Sequence, residues 1–254
     1  MTGREPSVSA RRRLLALVSV LAAPFSASCR SAAPPAGQGA RLFEATISRR
    51  VSYRYLLYIP KAYSTDPAQR WPLLLFLHGS GERGDDLAKV KLYGPPKQLD
   101  GRDDFPFVVV SPQCPEDQRW QSDALAALLD DVAKRLRIDP DRVYVTGLSM
   151  GGRGTWDLAM SFPERFAAIA PVCGGALPDR ACQLRDVPVK AFHGAKDDVV
   201  PLAESETVVE AVKRCGGSAE LVIYPEAGHD SWTAAYADLS LWEWLLSHRR
   251  HALR

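Results

Sequence analysis

Three side-chain types turn an alcohol into a nucleophile: a hydroxyl, an imidazole that takes its proton, and a carboxylate that orients the imidazole. This chain offers all three where apolar runs end. Ser149 stands in Gly147-Leu148-Ser149-Met150-Gly151, a G-x-S-x-G turn between strand-like Val143 to Thr146 and helix-like Gly152 to Met160. Such a turn lifts the serine oxygen above a sheet and aims the following helix N-terminus at it. A glycine-rich turn also serves purely structural ends, so the serine does not decide the matter alone. His229 lies in Pro225-Glu226-Ala227-Gly228-His229-Asp230, just after the last strand-like segment. His78 and His193 each precede a glycine, and His248 and His251 lie in the polar tail. The chain order serine, acid, histidine selects His229 as the base. Two carboxylates compete for the acid: Asp197 and Asp198, both in His193-Gly194-Ala195-Lys196-Asp197-Asp198-Val199-Val200-Pro201.

These groups need a scaffold that brings distant loops together. Leu42 to Ser48 and Tyr53 to Ile59 read as an antiparallel strand pair joined at Arg49-Arg50. Pro72 to Leu77 and Phe107 to Val110 are continuous apolar runs, the pattern of strands covered on both faces. Strand-like segments follow at Phe166 to Val172, Val189 to Phe192 and Ala219 to Tyr224. Helical spacing occupies Ser122 to Leu136, Leu202 to Cys215 (ended by Gly216-Gly217) and Trp232 to Leu246. The alternation predicts an α/β fold: a doubly wound, mostly parallel sheet with helices on both faces and an antiparallel N-terminal strand pair. Ligands of such sheets sit beyond the carboxyl ends of the strands, where Ser149, Asp197 and His229 all fall.

With these motifs the chain resembles the alpha/beta-hydrolase superfamily. Within it, the likeness is to compact esterases related to polyhydroxybutyrate depolymerases, feruloyl and acetylxylan esterases, and carboxylesterase/phospholipase-type proteins. The resemblance runs from about Tyr53 to Leu246. It implies H-G-x-x-D-x-x-V-P for His193 to Pro201, which places the acid at Asp197 and leaves Asp198 as a solvated or capping neighbour. It also implies an oxyanion hole from two backbone amides. One is that of Met150, and the other comes from His78-Gly79-Ser80-Gly81, at Ser80 or else Gly81. Trp120 and Trp232 are weak candidates for lining an acyl or sugar pocket, since tryptophan more commonly packs a core or its rim. The chemistry calls for no metal and no organic cofactor.

Net charge excludes other classes. The 254 residues carry a formal +2, and residues 1–28 hold a local +3 from four arginines against Glu5. Subtracting that +3 from +2 leaves −1 for residues 29–254, which is no footprint for nucleic acid. Arg11-Arg12-Arg13, the apolar Leu14 to Ala23 and the small residues Ser26-Ala27-Ser28 before Cys29 read as an export signal over residues 1–28. The segment resembles a bacterial lipoprotein signal, with Cys29 as the lipidated residue and the sole membrane attachment. Ser26 departs from the leucine such signals favour, and simple secretion is the alternative. A loose twin-arginine match also exists. Residues 29–40 are then a linker, 41–248 the catalytic domain and 249–254 a tail. Four cysteines remain, and Cys173 with Cys182 is the expected disulfide, buried free thiols being the alternative.

Only sixteen residues separate the strand ending at Val172 from the one starting at Val189, too few for a lid domain. An open, shallow site suits short or aromatic acyl groups on a bulky partner, including polysaccharide or polyester. The expected function is an exported serine esterase acting through an acyl-enzyme. Ranked below it are a serine peptidase of the same fold, a nonenzymatic cell-envelope binding protein and, last, a dienelactone-hydrolase-like enzyme, which usually carries cysteine as nucleophile. No sequence feature fixes the oligomeric state.

Overall fold

The structure is a computed structural model, and it describes residues 42–46 and 48–250. The export signal, Cys29 and the linker lie outside the described residues. Seven strands form one sheet: β1 (Tyr55–Tyr58), β2 (Trp71–Leu77), β3 (Val108–Pro112), β4 (Ile138–Leu148), β5 (Ala168–Val172), β6 (Val189–Gly194) and β7 (Ala219–Tyr224). Their order across the sheet is β1-β3-β2-β4-β5-β6-β7. Only β1 runs antiparallel, pairing Tyr55 with Pro112 and Tyr58 with Val109. The remaining neighbours are parallel. This is the doubly wound α/β architecture that the alternation of elements implies.

The apolar runs explain the layering. Every residue of β2 is buried, and successive side chains point to opposite faces. Leu73, Leu75 and Leu77 join one core with Leu125 of α2 (Ser122–Arg135), Trp156 of α3 (Met150–Ser161) and Val208 of α4 (Leu202–Arg214). Leu74 and Phe76 join the other core, with Tyr236 of α5 (Trp232–Ala237) and Trp242 of α6 (Leu239–Ser247). A further short helix, α1 (Gly94–Gln98), packs on this second side, where Gly94 lies against the Phe76 ring. The central strands therefore end rigidly, sealed on both faces.

Three expectations need correction. The antiparallel partner of β1 is β3, and residues 42–46 and 48 form no strand. Apolar β-formers alone do not make a strand without a pleated surface to cover. The single closing helix is two, because Asp238 breaks it and accepts the Ser240 amide at 2.8 Å as the N-cap of α6.

The disulfide joins Cys182 to Cys215 rather than to Cys173. Cys173 and Cys114 are free and buried. The reason is which face each cysteine serves. Cys173 belongs to the core beneath α5 and α6, whereas Cys182 lies between Ala181 and Leu184, which belong to the opposite core with α4. The bridge staples the turn Pro178–Leu184 to the end of α4 across 33 residues of sequence. A loop of that length predicts a loss of about 3–4 kcal/mol of unfolding free energy for Cys215→Ser. Chemical denaturation of both proteins checks this, and equal midpoints and slopes would show that the bridge contributes nothing.

Candidate active site

β4 ends at Leu148 and α3 begins at Met150, leaving Ser149 alone in the turn with φ 53° and ψ −116°. A positive φ is strained for a residue with a Cβ, and such strain persists only where the surroundings enforce it. Here the Ser149 amide donates to Val172 O of β5 at 3.0 Å and reaches Cys173 Sγ at 3.3 Å. The flanking glycines are dictated by space. A Cβ on Gly147 would sit 2.6 Å from Leu77 O, and one on Gly151 would collide with Leu77 O and lie 2.7 Å from His78 O. Backbone at the end of β2 and the start of α3 thus closes around the turn, leaving no room for a side chain at either glycine.

His229 follows β7 and Asp197 follows β6, and both loops converge on the serine. His229 Nε2 lies 2.9 Å from Ser149 Oγ, and Nδ1 lies 2.8 Å from Asp197 Oδ2. The carboxylate can only accept, so it fixes the imidazole proton on Nδ1 and leaves the Nε2 lone pair facing the hydroxyl. The Asp197 side chain is fully buried, and its Oδ1 accepts the amides of Val199 and Val200 at 2.9 Å each. Burial alone pushes this carboxyl up. The hydrogen bond from His229 and the amides of Val200 and Val199 outweigh that and hold it below the ordinary carboxylate range. Asp198 is exposed and takes no part in this network. The half-buried Trp232 packs edge-on against the His229 ring, with centroids 5.3 Å apart.

The loop after β2 faces the serine from the other side. His78 is buried, and its Nε2 accepts the Cys114 amide at 3.0 Å, so Nδ1 carries the proton and donates to Gly79 O at 2.6 Å. A trans peptide sets its N–H opposite its carbonyl. With Gly79 O turned toward His78, the Ser80 N–H points away from the histidine. The Met150 N–H, at the first position of α3, has no intrahelical acceptor. Ser80, Ser149 and Met150 line one cleft of about 420 Å³, shared with Arg83, Arg119, Arg153, Val199 and Glu204. Trp120 lies elsewhere. It is buried beneath the loop, donates from Nε1 to His78 O at 3.1 Å and stacks edgewise on the His78 ring.

Three further groups lie near the site, and two of them, Glu82 and Cys173, carry no sequence signal beyond residue type. Glu82 is buried with Oε2 unpartnered 3.9 Å from His78 Nδ1, and burial raises its carboxyl above the usual range. Cys173 also adopts positive φ, 42°, and burial pushes its thiol up to about 12. His193, which sequence order passes over, is buried beside Asp197.

Burial lowers the His78 imidazole from 6.5 to about 4, despite its hydrogen bond to Gly79. The unfolded chain therefore binds a proton at this residue between those two values while the folded chain does not. Stability tied to His78 is complete above about pH 6.5 and is lost as pH falls toward 4. The loss predicted for this residue is up to about 3 kcal/mol. Denaturation of the protein and of His78→Gln at pH 7 and pH 5 tests it. The variant should show the smaller drop, and equal drops would contradict the assignment.

Over 222 residues the chain is 27% identical to the poly(3-hydroxyoctanoate) depolymerase of Pseudomonas fluorescens, covering 76% of this chain and 80% of that protein. It is 30% identical over 146 residues to a bifunctional acetylxylan esterase/xylanase of Neocallimastix patriciarum, covering 53% of this chain and 20% of that protein. A solved thermostable esterase is 33% identical and superposes with a TM-score of 0.67, covering 79% of this chain and 60% of that one. The chain thus spans only a fifth of the length of the acetylxylan esterase/xylanase and 60% of the thermostable esterase. The pattern of the dienelactone hydrolase family matches residues 110–239, just over half the chain. That corrects the ranking in which a dienelactone-hydrolase relationship came last, although the residue in the turn between β4 and α3 is serine. On its fold and on this match, the chain belongs to the dienelactone hydrolase family, within the alpha/beta hydrolases.

Proposed function

We propose that this protein is a serine esterase hydrolysing carboxylic esters through an acyl-enzyme on Ser149. One observation carries the reading: the His229 imidazole bridges Ser149 Oγ at 2.9 Å and the buried Asp197 carboxylate at 2.8 Å. In the first step Ser149 Oγ attacks the ester carbonyl while its proton passes to His229 Nε2. The imidazolium so formed is stabilised by Asp197, which stays ionised. Charge on the carbonyl oxygen meets the amides of Met150 and Ser80, aimed in advance rather than reoriented during reaction. The alkoxide departs with the proton from His229. Water then repeats the cycle on the acyl-enzyme and regenerates the hydroxyl.

The same reading extends to substrate. Where a lid would enclose a long acyl chain, this protein has the turn Pro178–Leu184, stapled to α4 by Cys182–Cys215. Three arginines and Glu204 on the cleft wall make it polar, which disfavours long alkyl groups. Short or aromatic acyl groups on a polymeric alcohol fit best, and relatives named for acetylxylan and poly(3-hydroxyoctanoate) support a polymer. A polymer is met outside the cell, in keeping with export and an anchor at Cys29. Peptide hydrolysis by the same side chains is the alternative, and turnover of p-nitrophenyl butyrate against a matched anilide separates the two.

Ser149→Ala should lower kcat/KM on p-nitrophenyl butyrate by at least about a thousandfold while the protein melts as a folded domain. Hydrolysis retained in a folded variant would remove Ser149 from the reaction. On the wild type, p-nitrophenyl palmitate should turn over far more slowly than the butyrate. A preference for palmitate would contradict the open polar cleft.

A further inference from the structure

Asp197 Oδ2 has a second imidazole beside it. His193, the fifth residue of β6, is fully buried, with Nε2 3.1 Å from Asp197 Oδ2 and 2.9 Å from Val200 O. Its other nitrogen, Nδ1, lies 2.7 Å from Ser205 Oγ in the first turn of α4. Ser205 Oγ in turn lies 3.3 Å from the carbonyl of Gly174, on the cleft wall.

Donor and acceptor accounting settles the tautomer. Nε2 faces two acceptors, a carbonyl and a carboxylate, and an unprotonated Nε2 would oppose its lone pair to both. The proton therefore sits on Nε2, aimed at Val200 O and alongside Oδ2, and Nδ1 accepts the Ser205 hydroxyl. The result is a shell around Asp197 in which Oδ1 is held by two amides and Oδ2 by His229, with the His193 Nε2–H 3.1 Å from Oδ2 and directed at Val200 O. His229 reaches the reacting serine. His193 does not, being enclosed by β6, α4 and the turn at Val200.

We propose that His193 is a positioning residue for Asp197: its Nε2–H, directed at Val200 O, lies 3.1 Å from Oδ2 and offsets part of its charge, and Ser205 holds His193 in the tautomer that does so. The inference rests on the reading of Asp197 and His229 as acid and base. Removing the Nε2–H concentrates negative charge on Oδ2, which favours the His229 imidazolium. His229 then takes up its proton at higher pH, and the acid limb of kcat/KM moves upward with it. The other titratable groups facing this pair are Cys173 from the end of β5, Asp230 next to His229 and Glu204 on the cleft wall. They stay as they are when His193 or Ser205 is replaced. A role confined to filling space would lower stability and leave both pH dependences where they were.

The test is a pH titration of the full-length protein by long-range proton–nitrogen NMR, which follows all five histidines individually. In the wild type at neutral pH, His193 should carry its proton on Nε2. In His193→Met, the midpoint for His229 should rise by about half a unit to one unit. His193→Gln, which can return an N–H toward Oδ2, should bring it back toward the wild-type position. Ser205→Ala, the milder change, should move it in the same direction by less. A wild-type proton on Nδ1 overturns the proposal whether or not the Met variant folds, and so does an unmoved His229 midpoint in folded His193→Met or in folded Ser205→Ala. The titration needs no turnover. Absence of p-nitrophenyl butyrate hydrolysis by the wild type would therefore remove the esterase reading while leaving the positioning role of His193 to stand or fall on its own titration.

Discussion

The site depends on a backbone that has no room to be otherwise. At Ser149 the chain adopts a conformation that costs about 1–3 kcal/mol for a residue with a side chain. It is held there because β5 takes the Ser149 amide and the carbonyls after β2 press against Gly151. Strain at one residue is offset by parallel strands buried on both faces, which cannot shift without opening two cores. The hydroxyl therefore stands at a fixed point, and loops from β2, β6 and β7 need only reach it.

Electrostatics then follow from what those loops bury. Asp197 loses water but gains two amides and the His229 ring, so its negative charge persists in a place where an unpaired carboxylate would take a proton. His78 shows the opposite outcome. Its two nitrogens are satisfied by a neutral ring, burial suppresses the cation, and the ring serves to turn the Gly79–Ser80 peptide. Two buried groups on loops around one site thus hold different charge states, one ionised and one neutral, each set by the donors and acceptors around it. Trp232 and Trp120 serve the two loops from below or beside, the first against His229 and the second against His78.

Much of this is legible in the chain because it is local. The apolar run Leu73 to Leu77, the glycines around Ser149 and the loop positions of Asp197 and His229 are written within a few residues of where they act. What escapes reading is decided across the sheet. The partner of Cys182 depends on which face of the sheet each cysteine joins, and closeness in sequence to Cys173 says nothing of that. The partner of β1 depends on which sheet edge is open, so Tyr55 to Tyr58 find β3 some fifty residues on. His193 looks like one more histidine before a glycine until β6 and α4 place it against Asp197 and Ser205. The break at Asp238 is local, but helical periodicity continues across it and hides the cap.

On the proposed reading, Ser149 is a nucleophile only because His229 and Asp197 converge on it. Site-resolved labelling by a fluorophosphonate, which reacts with activated serines, followed by peptide mass spectrometry, measures that dependence. One phosphonyl group should appear, on the peptide containing Ser149, in the native protein, and none after denaturation or in folded His229→Ala. Labelling at another residue, or undiminished labelling of Ser149 without His229, would contradict it.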